Sequence, residues 1–232
     1  MHNKHFLLYA DTGASADCIG QWKKFFDTQE VSYGLCMASD IIDGALAKAD
    51  GLIIPGGADL PYCDKLNGVG NVNIKTFVEN GGIYFGICAG AYYAHRRVEW
   101  NNTTECILGD RELAFFDGVA TGPLVKPYNP KTSVGMAFVT AHFQGKEAVV
   151  YYKGGPLIVP DSATEIIATF THENIVYPAI VRKSVGHGLV IGMSPHMEYS
   201  SSYLATINAP ECPHRMDMFA DIMKMIFDKP TA

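Results

Sequence analysis

The sequence predicts an α/β fold built on a mostly parallel central sheet, and three observations carry that prediction. Between His5 and Trp100, short apolar runs alternate with stretches of helical periodicity. Ile83–Ile87 is apolar without alternation, the pattern of a parallel strand covered on both faces. From Trp100 to about Gly188 the pattern changes to β-branched and aromatic runs separated by Gly, Pro and Asn, which predicts a β-rich segment with hairpins in the second half.

The elements follow in order. Phe6–Ala10 is a buried strand stopped by Asp11, and Cys18, Ile19, Trp22, Phe25 and Phe26 then recur at helical spacing up to Gln29, with Ser15 or Asp17 as the cap. Val31–Met37 reads as a second strand, Ile41–Ala49 as a second helix and Gly51–Ile54 as a third strand that ends at Pro55-Gly56-Gly57. The polar stretch from there to about Gly70 predicts a long loop. Ile74, Phe77 and Val78 share one face of a helix over Val72–Asn80, Gly81-Gly82 ends it, and Ile83–Ile87 is the next strand. The chain then passes Cys88-Ala89-Gly90 and resumes a helix over Ala91–Val98. In the second half Ala148–Tyr152, Ile166–Phe170 and Ala179–Val181 are strands, Leu189–Met193 is another buried strand, and an amphipathic helix over Met216–Phe227 closes the pattern.

With 232 residues, 48% of them apolar, the chain suits one domain over residues 1–232 with a sizeable core, and it is neither disordered nor fibrous. Its 18 basic and 24 acidic residues give a net charge of −6 with no basic run, which argues against a nucleic-acid partner. The first apolar run is too short for a signal peptide or a membrane span, so no membrane partner is expected and the chain reads as cytoplasmic. Six cysteines, at 18, 36, 63, 88, 106 and 212, form no CxxC pair and no cluster with His at metal-ligand spacing. No disulfide framework, metal or other cofactor is therefore expected, and most of the thiols read as small buried hydrophobes.

Cys88 is the exception. Gly86-Ile87-Cys88-Ala89-Gly90 has the form G-x-C-x-G where a strand turns into a helix. Such an elbow holds its nucleophile in a strained conformation, and glycines two residues to either side let strand and helix pass without a Cβ clash. The thiol then stands at a helix N-terminus, whose partial positive charge favours thiolate. A thiol nucleophile needs a base and the base an orienter, and His196-Met197-Glu198 supplies both just after a second buried strand. In an extended segment His196 and Glu198 face the same side, so Glu198 accepts the Nδ1 proton while Nε2 faces Cys88. Pro55-Gly56-Gly57 belongs at the carboxyl edge of the same sheet, where the amides of Gly57 and Ala89 would converge as an oxyanion hole.

Other motifs read as structural. Asp11-Thr12-Gly13 matches one half of an aspartic-protease signature, but no second copy occurs, so it is a turn. Gly68-Val69-Gly70 follows no strand and is no dinucleotide fingerprint. His95, on the helix after the elbow, and His142, His172, His187 and His214 read as structural or exposed, and Asp110-Arg111-Glu112 as a solvated charged loop.

The set PGG at 55–57, GICAG at 86–90 and His196-x-Glu198 resembles the class I glutamine amidotransferase-like superfamily, whose triad is Cys-His-Glu. More narrowly, IPGGADLPY at 54–62, LNG at 66–68 and GGIYFGICAGAYYA at 81–94 are similar to the domain at the N-terminus of eukaryotic biotin-protein ligases, which has free-standing bacterial relatives. The resemblance spans essentially the whole chain. It implies a flavodoxin-like three-layer sandwich and assigns Cys88 as nucleophile, His196 as base and Glu198 as its orienter. Amidotransferases commonly carry G-x-C-x-G-x-Q, with the Gln binding substrate glutamine; Tyr92 stands there in this chain, which argues against glutamine. The G-R-G-R-x-G signature of biotin activation is absent, so the chain is not expected to ligate biotin.

The reading these residues support is a cysteine amidase or amidotransferase-like hydrolase acting on a small-molecule or peptide amide, with Asp59, Tyr62, Asn67, Tyr92 and Tyr93 as candidates for substrate contact. A partner synthetase, or a second copy of the chain, is left open. The alternative is a non-catalytic ligand-binding or regulatory module that keeps the elbow as a pocket, and Tyr92 motivates it.

Overall fold

The computed structural model describes residues 4–103, 105–212 and 214–228. The chain runs β1 (His5–Tyr9), α1 (Ala16–Thr28), β2 (Ser32–Cys36), α2 (Ala38–Ile42), a 3₁₀ turn (Ala45–Lys48), β3 (Gly51–Ile54), α3 (Asp59–Leu66), α4 (Val69–Glu79), β4 (Ile83–Ile87) and α5 (Ala89–Ala94). A β-rich stretch follows: β5 (His95–Asn101), β6 (Cys106–Asp110), β7 (Phe116–Gly122), β8 (Met136–Phe143), β9 (Lys146–Lys153), β10 (Leu157–Ile158), β11 (Glu165–His172), β12 (Ile175–Val185) and β13 (Gly188–Met193). Helices α6 (Ser201–Thr206) and α7 (Arg215–Asp228) close the order.

Among the described residues, nine strands form one sheet in the order β2-β1-β3-β4-β13-β12-β11-β8-β9. The first five are mutually parallel, and β12, β11, β8 and β9 continue the sheet by antiparallel pairing. Helices cover both faces of the parallel end, which makes the three-layer sandwich. Alternation along β1 shows the layering: Phe6 and Leu8 point into a core with Trp22, Phe25 and Phe26 of α1 and Phe219 of α7. Leu7 and Tyr9 point the other way, into a core with Ile41, Tyr62, Leu66, Ile74 and Val78 of α2, α3 and α4. Every residue of β3 and β4 is buried, as strands covered on both faces must be. A second sheet, β10-β7-β5-β6, packs Phe116 and Ile158 into the core shared with Tyr84, Val181 and Val190 of the first.

Three elements differ from the sequence expectation. The stretch expected as a long loop contains α3; its Pro61 sits in the first turn, where a missing N–H costs no hydrogen bond. The helix after the elbow stops at Ala94, because His95–Asn101 pairs with β6 and β7 in the second sheet; His95 therefore opens a strand. The helix expected over Ile41–Ala49 is α2 followed by a 3₁₀ turn, broken at Gly44, whose φ is +92°.

Candidate active site

The turn from β4 into α5 has the strain expected of an elbow. Cys88 sits at φ +49° and ψ −103°, a conformation that costs a non-glycine residue about 1–3 kcal/mol. The flanking glycines are required for space: a Cβ on Gly86 would lie 2.3 Å from the carbonyl oxygen of Gly90, and one on Gly90 would lie 2.1 Å from that of Ile54. The parallel ladder anchors the elbow from the other side, with the Cys88 amide donating to the Met193 carbonyl at 2.9 Å.

The imidazole comes from the neighbouring strand. After β13, His196 forms a β-bridge with Tyr151 and the chain turns at Met197 and Glu198 rather than staying extended as expected, with the Met197 amide donating to the Pro195 carbonyl at 3.2 Å. The pairing still forms: His196 Nδ1 lies 2.8 Å from Glu198 Oε1, both side chains being buried. The His196 backbone amide donates to the Tyr151 carbonyl at 2.7 Å, and the ring packs on Tyr199 at 4.8 Å. Cys88 and His196 meet over Gly56. A Cβ at that position would lie 2.7 Å from His196 Cε1 and 3.3 Å from Cys88 Cβ.

Burial alone would strip the proton from His196. Burial is the largest single influence, but the Glu198 carboxylate and, after it, the Tyr199, Cys18 and Cys88 side chains together outweigh it and hold the imidazole protonated well above the ordinary histidine range. His95 shows the contrast. Burial pushes it down to about 4, so it is neutral, with Nδ1 donating to the Ala91 carbonyl at 2.7 Å and its ring against Phe116.

Gly57 is fixed by the turn that resembled a protease signature. Ser15 N–H donates to the Gly56 carbonyl at 2.8 Å and Ala58 N–H to the Gly13 carbonyl at 2.9 Å. Gly57 has φ +145°, and a Cβ there would fall 1.9 Å from the Gly13 oxygen, so no other residue fits. Among the described residues neither the Gly57 nor the Ala89 amide has a protein acceptor, and both residues line the cavity that contains Cys88.

That cavity has a volume of about 310 Å³ and is walled by Asp59, Tyr92, Trp100, Ile107 and Tyr128. Of the five residues expected to contact substrate, Asp59 and Tyr92 line it. Tyr62, Asn67 and Tyr93 stand behind it: the Tyr62 hydroxyl donates to the Pro55 carbonyl at 3.0 Å, that of Tyr93 to Asn71 Oδ1 at 2.6 Å, and Asn67 accepts from Asn71 at 3.0 Å. A larger hollow of about 490 Å³ lies at the amino ends of β3 and β4, among Leu46, Asp50, Asn73 and Gly82, and no Cys, Ser or His is among its described lining residues.

Two features were not found from sequence. Cys18, read there as a bland apolar residue, sits inside the site: its thiol donates to Glu198 Oε1 at 3.2 Å and accepts from the Gly56 amide at 3.2 Å. Burial, then the neighbouring Glu198, pushes this thiol up to about 12, so it is a neutral donor to the carboxylate. Cys18, His196 and Glu198 are also a set of three buried side chains whose donor atoms lie within 4.8 Å of one another, a cluster their spacing in the sequence does not show. The second feature is Arg111: Asp110 and Glu112 of the charged triplet are exposed as expected, but the residue between them is not. Arg111 is buried and donates through Nε to Asp59 Oδ2 at 2.7 Å, while Glu112 accepts from the Gly68 amide at 2.7 Å and from Asn71 at 2.9 Å. These bonds tie the second sheet to α3 and α4.

Comparison with known proteins agrees with this architecture. A Chlamydia muridarum protein described as uncharacterized is 32% identical over 155 residues, covering 64% of this chain and 60% of its own length. A biotin–protein ligase of Schizosaccharomyces pombe is 25% identical over 186 residues, covering 75% of this chain and 30% of the ligase. The chain thus spans less than two thirds of either curated relative. PurLQS from Thermotoga maritima superposes with a TM-score of 0.63 at 14% identity, over 96% of this chain and 99% of that one, a likeness of fold. The family described as biotin-protein ligase, N terminal, matches residues 5–225. No helix among the described residues is long and apolar enough to cross a membrane. The chain belongs to the biotin-protein ligase N-terminal family and has the glutamine amidotransferase-like fold.

Proposed function

We propose that the protein is a cysteine amidohydrolase or amidotransferase-like enzyme with Cys88 as nucleophile, His196 as proton carrier and Glu198 as the orienter of His196. The single observation that carries the reading is the meeting of Cys88 and His196 over Gly56, with His196 bound to buried Glu198 at 2.8 Å. Cys88 attacks the amide carbonyl carbon, forming a C–S bond, and the resulting oxyanion takes the amides of Gly57 and Ala89. Protonated His196 gives its proton to the leaving nitrogen as the C–N bond breaks. Having given up that proton, the neutral imidazole then takes one from water or from an acceptor amine. Attack by that nucleophile breaks the C–S bond and returns the thiol. A reducing, cytosolic setting belongs to the same proposal, and the six free cysteines support it.

Turnover of a panel of small primary amides, followed by ammonia release, tests the proposal. The native chain should hydrolyse at least one member, and Cys88→Ser should lose about 10³-fold or more in kcat/KM. Equal rates for the two would overturn it, and no turnover by either would favour a ligand-binding module.

A further inference from the structure

The cavity beside Cys88 has a charge pattern of its own. Its charged side chains are the carboxylates of Asp59 and Glu105, and among the described residues no Lys, Arg or His side chain lines it. Its walls include three rings at near right angles: Tyr92 and Trp100 at 5.7 Å and 77°, then Trp100 and Tyr128 at 4.9 Å and 87°. Ring faces are negative, and an aromatic corner beside a carboxylate attracts organic cations. Arg111 holds Asp59 through Oδ2, leaving Oδ1 without a hydrogen-bond partner among the described residues. Glu105, exposed at the rim, has no ion-pair partner among them either. One ammonium already uses the outer end of this wall: Lys153 Nζ lies 5.8 Å over the Tyr128 ring, anchored on the Pro130 and Thr132 carbonyls at 3.2 and 2.6 Å.

We infer that the cavity selects an amide whose chain carries an organic cation, such as an ammonium a few methylenes from the carbonyl, over a neutral or an anionic one. The inference rests on the reading that the carbonyl lies at Cys88. At about 310 Å³ the space suits one small molecule.

Three probes of one length test it: 5-aminopentanamide, pentanamide and glutaramate, titrated calorimetrically into the Cys88→Ala chain, where no turnover interferes. The cationic amide should bind about ten-fold more tightly than the neutral one, and the anionic amide most weakly. Glu105→Gln, at an exposed position, and Trp100→Ala should each narrow the first ratio several-fold. Equal affinities, tighter binding of glutaramate, or no binding of 5-aminopentanamide at millimolar concentration would overturn the inference. Turnover of the same amides by the native chain separates the two claims. Hydrolysis without charge preference keeps the nucleophile and discards the cation site; charge preference in binding without hydrolysis does the reverse.

Discussion

The two ends of the large sheet contribute unequally to the site. At the parallel end the strands are covered on both faces, and their carboxyl ends deliver the three groups of the proposed chemistry: Cys88 after β4, the Gly56-Gly57 strap after β3, and His196 with Glu198 after β13. At the antiparallel end β8 and β9 alternate between buried and half-exposed, with α7 on one face, and they deliver support: the Tyr151 carbonyl that holds His196, and Gly154 at the cavity edge. The second sheet adds the cavity wall through Trp100 and Ile107. Backbone geometry at parallel strand ends positions the residues proposed to react, whereas side chains from late strands and loops shape the cavity beside them.

That division can be broken at points of decreasing leverage. Glu198→Gln should have the largest effect, about 10³- to 10⁴-fold in kcat, because the imidazole loses both its orienter and the charge that keeps it protonated. In the native chain the folded pKa of His196 is raised, so the stability its proton contributes is full below the ordinary histidine value and lost as pH climbs through the raised one. In the variant, burial dominates, and the alkaline limb of the pH–rate profile should move down; an unmoved limb would show that Glu198 does not govern His196. Gly56→Ala comes next, at about 10²-fold, since its methyl would press on both His196 and Cys88 while leaving the fold intact. Arg111→Met should change kcat least, within a few-fold, yet cost about 3 kcal/mol of stability in denaturant unfolding, because it leaves Asp59 unpaired. A large loss of kcat there would move the second sheet into the chemistry.

What the sequence disclosed follows the same line. GICAG and His196-x-Glu198 are contiguous signals, and uninterrupted apolar strands announce a parallel sheet, so the sheet and the three residues proposed as nucleophile, base and orienter were legible as candidates. Cys18 was not, because its contact with Glu198 spans 180 positions and an isolated buried Cys carries no pattern. Arg111 was misread because a charged triplet is ordinarily solvated; only its tertiary partner Asp59, 52 positions away, permits its burial. The strand at His95–Asn101 was masked by the helix before it, since its pairing partners lie in the later second sheet. Trp100 and Tyr128, which wall the cavity with Tyr92, come together only in the folded chain.

The central claim is that Cys88, although buried, is the activated thiol, whereas exposed Cys106 is an ordinary one. Iodoacetamide labelling of the native chain at neutral pH, with the six thiols resolved by peptide mass spectrometry, tests this directly. Cys88 should label first, ahead of Cys106, and His196→Ala should abolish its lead. Cys106 labelling first, with Cys88 as slow as buried Cys18 and Cys36, would contradict the account.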